Sequence, residues 1–202
     1  MCAAVALAGC GSPSRPATTA SSSAAAAGLT GLIPEPLPVK PSFTLADTSG
    51  RPYAFAAATR GKLTYLFFGY THCPDACPAT MSDLTYALRL QPAAIRRRVA
   101  VVFVTVDPAR DTGPVLRTWL DHYSRSFVGV RGTAAQIGEV EHEAGVPTAV
   151  RVAGRSGYQV EHSSILFVYS PDDRAHVVYA QGFTPADYAH DMPLLLRFGA
   201  LG

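Results

Sequence analysis

Phe67-Phe68-Gly69-Tyr70-Thr71-His72-Cys73-Pro74-Asp75-Ala76-Cys77-Pro78 decides how this chain is read. Its apolar start completes the run Leu63 to Phe68, the pattern of a strand covered on both faces. The residues after it read as a loop passing into a helix N-terminus. Two thiols four residues apart lie about one turn apart where the segment is helical, close enough to bond to each other or to share a metal. Amides at a helix N-terminus favour the thiolate, the form that acts as nucleophile and as metal ligand.

Working outward, Val99 to Val106 and Ser164 to Tyr169 are also nearly continuous apolar runs, and with Leu63 to Phe68 they predict the central sheet of an α/β layer structure. Met81, Leu84 and Leu88 recur at helical spacing and predict a helix from about Pro78 to Leu90. Leu116, Trp119, Leu120 and Tyr123 repeat the pattern after Pro114, a suitable first helical residue. Thr133 and Gln136 are spaced as a capping box ahead of Ile137, Val140 and Ala144, and Gly145 ends that helix. Val177 to Ala180 reads as a strand and Thr184-Pro185 as the start of a last helix. Pro193 would lie inside it, and an interior proline costs about 3 kcal/mol, so a kink or break is expected near Asp191 to Met192. At the front, Phe43 to Leu45 and Tyr53 to Phe55 flank Asp47-Thr48-Ser49-Gly50, which predicts an opening hairpin. An aspartic-protease reading of that turn fails, because no glycine directly follows Asp47-Thr48 and no second copy supplies a carboxylate pair.

A chain of 202 residues with 48% hydrophobic content fits one folded domain plus extensions. A net charge of +2 and 16% charged residues give no basic stripe of the kind that neutralises phosphates, so no nucleic-acid partner is expected. Arg96-Arg97-Arg98 falls where a helix should end and reads as cations complementing its dipole. No run reaches the roughly 18 apolar residues of a membrane span. Residues 1–9 read instead as the end of a signal peptide truncated at its start, since no Lys or Arg precedes the apolar segment. Leu7-Ala8-Gly9-Cys10 resembles a bacterial lipobox, which implies cleavage before Cys10 and a lipid on its thiol. Residues 10–37, rich in Ser, Ala, Thr and Pro, then read as a disordered tether continued by a proline-spaced stretch, with the folded domain over residues 38–202.

Three uses of the Cys73 and Cys77 pair compete. A structural disulfide suits an exported protein, but so short a loop removes little entropy from the unfolded chain. A thiol–disulfide oxidoreductase on a thioredoxin-like scaffold usually has two residues between its cysteines; here Pro74-Asp75-Ala76 makes three. Thioredoxin-like oxidoreductases also resemble one another in a proline before the strand facing the thiols, whereas Glu161-His162-Ser163-Ser164 stands before Ile165. Metal binding is the third use.

Phe68 to Pro78 resembles the signature of the Sco/SenC copper chaperones of cytochrome c oxidase assembly, and Val104-Thr105-Val106-Asp107-Pro108-Ala109-Arg110-Asp111-Thr112 resembles that family's second motif. Tyr158-Gln159-Val160-Glu161-His162-Ser163-Ser164 is similar to its third, which supplies a histidine ligand. The departures are small: Glu161 where an aspartate is common, and Gly113 ahead of the usual proline. The resemblance implies a thioredoxin-like α/β fold, a central mixed sheet flanked by helices with an N-terminal hairpin extension. It implies one copper ion, Cu+ or Cu2+, held by Cys73, Cys77 and His162, with Asp107 as an outer-shell group and Asp111 capping the loop. Two thiolates and an imidazole are a soft donor set suited to copper, whereas magnesium or calcium would want oxygens. Zinc accepts the same groups, usually four of them in a closed site.

The implied function is copper delivery to the dicopper centre of the oxidase's copper-bearing subunit, from the outer face of the bacterial cytoplasmic membrane. A lipid on Cys10 would hold the chain to the membrane, and another extracytoplasmic copper carrier would be a further partner. The alternative is a thiol–disulfide oxidoreductase, using Cys73 and Cys77 as a redox pair to reduce the oxidase subunit's cysteines. A peroxidase is disfavoured, because peroxiredoxins resemble one another in a threonine three residues before the reactive cysteine, where this chain has Tyr70. Met81 is expected in the core, His72 on a partly exposed loop, and His122, His142, His176 and His190 on element surfaces.

Overall fold

The computed structural model describes residues 28–154 and 157–199. The signal segment, Cys10 and the tether as far as residue 27 lie outside the described residues. Among the described residues no helix is long and apolar enough to cross a membrane.

Seven strands form one mixed sheet. They are β1 (Thr44–Asp47), β2 (Pro52–Ala54), β3 (Leu63–Gly69), β4 (Val99–Thr105), β5 (Val128–Arg131), β8 (Leu166–Tyr169) and β9 (Ala175–Tyr179), ordered β2-β1-β5-β4-β3-β8-β9. The pairs β3–β4 and β4–β5 are parallel and the others antiparallel. β3 lies inside the sheet between β4 and β8 with all seven residues buried, which is why its sequence shows no polar alternation. The expected hairpin is present, and β1 joins it to the sheet through β5. Among the described residues six helices accompany the strands: α1 (Phe55–Ala58), α2 (Ala76–Arg89), α3 (Ala93–Arg96), α4 (Gly113–Asp121), α5 (Ala134–Glu143) and α6 (Pro185–Leu195). α2 packs on α6 and α4 on β5. Met81 and Leu84 are fully buried, as the stripe on α2 predicts. The Thr133–Gln136 capping box forms, and Gly145 takes φ +73°, a left-handed exit that glycine adopts without steric cost.

Register places the functional end. Leu63 pairs with Val99 and Gly69 with Thr105, so β3 and β4 stop level with each other. The segments that leave them, Tyr70 to Cys73 and Val106 to Asp111, therefore emerge side by side at the C-terminal edge of a parallel pair, where α/β sheets build their sites.

Four readings differ from the structure. The tether was expected to run to residue 37, but from Thr30 the chain lies along β9 as a strap. Leu32 bridges Val178 and Val39 bridges Arg174, both antiparallel, and the amides of Thr30 and Gly31 donate at 3.0 Å to the buried Asp191 carboxylate. β9 would otherwise be a bare sheet edge, and the strap satisfies its polar groups. His176 is buried rather than on the surface: its ring stacks on Phe198 at 3.8 Å and its Nε2 lies 2.7 Å from Asp172 Oδ2. Two strands escaped the sequence reading, β6 (Val150–Gly154) and β7 (Gly157–Glu161), which form a separate antiparallel hairpin. So did β5, only four residues long, whose Gly129 lies so close beneath Leu116 and Leu120 that a Cβ there would sit 2.7 Å from Leu120.

The fourth difference is that Pro193 does not break its helix. α6 runs unbroken from Pro185 to Leu195 with the proline inside it. Proline cannot donate to the carbonyl four residues earlier, that of Ala189, and an orphaned buried carbonyl is the main reason helices break there. The side-chain amide of Gln91 donates to Ala189 O at 2.7 Å instead, from the chain just beyond α2. We expect Gln91→Ala to lower stability by about 1–3 kcal/mol in urea denaturation, the cost of leaving that carbonyl unpaired. In a Pro193→Ala background the loss should shrink, because the new amide regains the bond; equal losses in both backgrounds would remove this account.

Candidate metal centre

The loop from Gly69 begins where β3 ends, and Gly69 is there because nothing larger fits. A Cβ at that position would stand 2.7 Å from Cys77 Sγ and 2.9 Å from Phe103. No sequence signal set this glycine apart from others, because the constraint comes from a sulfur eight residues later in the chain. Cys73 N donates to Tyr70 O at 3.1 Å, closing a turn, and α2 starts at Ala76. Cys77 is thus in the first turn of α2, and its amide donates to Cys73 Sγ at 3.4 Å. The helix N-terminus is aimed at the Cys73 sulfur, as the spacing implied.

His162 reaches the same point from just beyond β7. The ligand atoms of Cys73, Cys77 and His162 all lie within 4.8 Å of one another, with His162 Nε2 at 3.6 Å from Cys77 Sγ. The other ring nitrogen, Nδ1, is 2.8 Å from the Ser163 carbonyl, an acceptor only, so Nδ1 carries a proton and Nε2 is the nitrogen that faces the sulfurs. Tyr70 and Phe67 meet the imidazole edge to face, with centroids at 5.5 and 6.2 Å.

The two thiols differ. Cys77 is fully buried and Cys73 half-buried, and they are free, not bridged. Hydrogen bonding from Cys77, aided by His162 and by the amides of Asp75 and Cys77, outweighs burial and lowers the Cys73 thiol to about 4. Burial first, then the neighbouring Cys73 charge, pushes Cys77 far up. Burial works against the His162 imidazolium, but its bonds to Cys73 and Ser163 raise its titration above that of an ordinary histidine. The cleft over these groups, about 320 Å³, opens between Pro74, Asp75, Glu161, Ser164 and Gln181.

Two wholly buried carboxylates on the segment after β4 hold the parts together. Asp111 accepts from the Thr71 amide at 3.0 Å, the Thr71 hydroxyl at 2.6 Å and the Thr105 hydroxyl at 2.6 Å. Asp107 touches none of the three ligand residues. It accepts from Arg110, from Arg151 at 3.2 Å and from the Tyr158 hydroxyl at 2.9 Å. The Tyr158 ring lies against both guanidinium groups, 3.8 Å from Arg110 and 4.7 Å from Arg151. Arg151 is on β6 and Tyr158 on β7, so this cluster fastens the hairpin that leads to His162. Tyr70 adds a further fastening, its hydroxyl accepting from Val160 N at 3.3 Å. Arg110, Arg151 and Tyr158 were not singled out from the sequence as site residues, because their contacts are with each other and with Asp107. His72 is exposed on the loop, with Nδ1 3.0 Å from Thr71 Oγ1, and does not join the ligand group.

Two outcomes follow. A thiol with its pKa lowered from 9 to about 4 is already a thiolate at pH 6. Iodoacetamide at pH 6 should therefore alkylate one cysteine, Cys73, with Cys77 unmodified by mass spectrometry; equal labelling would contradict the asymmetry. Tyr158→Phe keeps the ring and removes the bond to Asp107. Its expected effect is a stability loss of about 1–2 kcal/mol with a broadened His162 ring signal in NMR spectra, and a sharp, unshifted signal would show that the hairpin is fixed without it.

The SCO1/SenC family model matches residues 33–197. A protein of Stutzerimonas stutzeri named for copper binding is 34% identical over 139 residues, 68% of each chain. The mitochondrial protein SCO2 of Saccharomyces cerevisiae is 31% identical over 132 residues, 64% of this chain but 44% of its own length. Among solved structures, ScoI of Bradyrhizobium japonicum with copper bound has 29% identity and a TM-score of 0.68, covering 77% of this chain and 98% of that one. The thioredoxin-like fold and the meeting of the first and third motifs in one ligand group, held by carboxylates of the second, agree with these likenesses, and the chain belongs to the SCO1/SenC family.

Proposed function

We propose that the chain is a copper chaperone of cytochrome c oxidase assembly that carries one copper ion on Cys73, Cys77 and His162. The observation that carries this reading is the meeting of two sulfurs and one imidazole nitrogen within 4.8 Å, with Cys73 and His162 lining an open cleft. The donor set is soft and small, which suits cuprous ion and admits cupric ion. Copper is cargo here, so the residues must both hold and release it. Cys73 is ready as a thiolate, His162 faces the sulfurs through Nε2 and gives up the proton it shares with Cys73 when metal binds, and the half-exposed side of the site leaves room for an incoming ligand from a partner. Asp107 acts at one remove in this proposal, by holding the hairpin that positions His162. The copper-bearing oxidase subunit as recipient, another extracytoplasmic carrier as a partner, and attachment to the outer face of the cytoplasmic membrane through a lipid on Cys10 belong to the same proposal. The lipobox-like sequence supports the attachment.

The test is copper loading of the full chain under reducing, oxygen-free conditions against a chromogenic cuprous chelator. One equivalent should be retained, with two sulfur neighbours in the X-ray absorption spectrum. Cys73→Ser, Cys77→Ser and His162→Ala should each weaken retention at least tenfold, a loss of about 1.4 kcal/mol or more. Unchanged one-to-one binding in all three would overturn the assignment.

The inequality of the thiols favours a second reading, reduction of the oxidase subunit's cysteines. A half-exposed thiolate beside a buried thiol is the arrangement of an attacking and a resolving cysteine. Cys73 would attack one sulfur of the substrate disulfide, releasing the other as thiolate. Cys77, after losing its proton, would then displace the second substrate thiolate and leave a Cys73–Cys77 disulfide. His162→Ala separates the two activities: a reductant keeps most of its rate on a model disulfide, whereas copper retention falls.

A further inference from the structure

A second cleft lies away from the thiols. It has a volume of about 900 Å³ and lies around the start of β3 and β4, at the opposite end of the sheet. β3 runs from beside it to the metal loop, and seven residues of strand span roughly 23 Å at about 3.3 Å each.

Four cations line this cleft: Lys62 from the turn before β3, Arg89 from the end of α2, and Arg96 and Arg97 from α3 and its cap. No carboxylate lines it. Among the described residues the ion pairs made by Lys and Arg involve Lys40, Arg51, Arg110, Arg117 and Arg151, and none of these four. Arg96 gives one bond to the Gln91 carbonyl, at 2.7 Å. Helix-end placement accounts for cations on α2 and α3, as expected for Arg96 and Arg97, but not for Lys62, which sits on neither helix. In a chain with a net charge of only +2, four like charges around one hollow repel each other without a counter-charge in its wall. Between them the surface is partly apolar: half-buried Leu88, Val99 and Ala100 face the hollow above the buried Val101 and Phe127, and Ser124 and Ser126 add hydroxyls. A solvated cationic face needs no such apolar surface, and an apolar ligand needs no such charge.

We propose that this cleft is a second binding site, for an amphiphilic anion: a molecule with a phosphate head for the cations and a hydrocarbon body for the apolar surface between them. Its volume is in the range of small-molecule sites. The site is independent of the copper reading, because the thiols are a strand length away.

The probe is dodecyl phosphate, titrated calorimetrically into the full chain below its critical micelle concentration. One molecule should bind saturably, at least tenfold tighter than inorganic phosphate, and dodecyl maltoside, which has the chain without the charge, should show no saturable binding. The double variant Lys62→Glu, Arg97→Glu changes two exposed side chains and should weaken dodecyl phosphate at least tenfold while retaining one equivalent of copper, or the circular dichroism of the parent chain if the copper reading itself fails. Arg97→Ala alone should weaken it several-fold, which keeps the test sound should the double variant fold poorly. No binding of dodecyl phosphate, equal binding of inorganic phosphate or the maltoside, or equal affinity in parent and variants would each overturn the proposal.

Discussion

The site depends on two buried carboxylates carried by one short segment. Asp107 and Asp111 both follow β4, one turn apart, and neither is exposed. Asp111 binds the loop that carries the thiols, through Thr71, and binds the end of β4, through Thr105. Asp107 binds the hairpin that leads to the imidazole, through Arg151 and Tyr158. Two parts of the donor set that are far apart in sequence are therefore referred to the same piece of backbone. Removing a partner from a buried charge is costly, so both connections resist loosening. The level ending of β3 and β4 makes the arrangement possible, since a register shift of one residue would carry Thr71 away from Asp111.

Much of this could be read from the residues, for identifiable reasons. β3, β4 and β8 announced themselves because burial on both faces leaves an apolar run that no solvent-facing element needs. The caps at Thr133 and Thr184 were visible because capping is local chemistry, decided within four residues. What the sequence hid was long-range. Pro193 looks like a helix breaker until Gln91 is folded against Ala189, 98 residues away in sequence. The β6–β7 hairpin has mostly exposed or half-exposed residues and so lacks the periodicity that betrays a buried strand. His176 sits on β9, where Phe198, 22 residues later, stacks on its ring.

The donor set itself was legible by resemblance rather than by spacing. Cys73 and Cys77 are neighbours on one turn, so their proximity is a local matter. His162 joins them only because a hairpin is fastened across the sheet end, and nothing in the single residue marks it apart from five other histidines. The choice of Nε2 as the nitrogen that faces the sulfurs comes later still, because one carbonyl engages Nδ1.

The strap has a geometric consequence. It runs antiparallel to β9, and β9 runs in the same direction as β3, since each is antiparallel to β8. The chain therefore enters the domain from the end of the sheet where the thiols lie. A segment joined ahead of Gly28 would meet the domain nearer to the thiols than to the cationic hollow, which lies at the opposite pole.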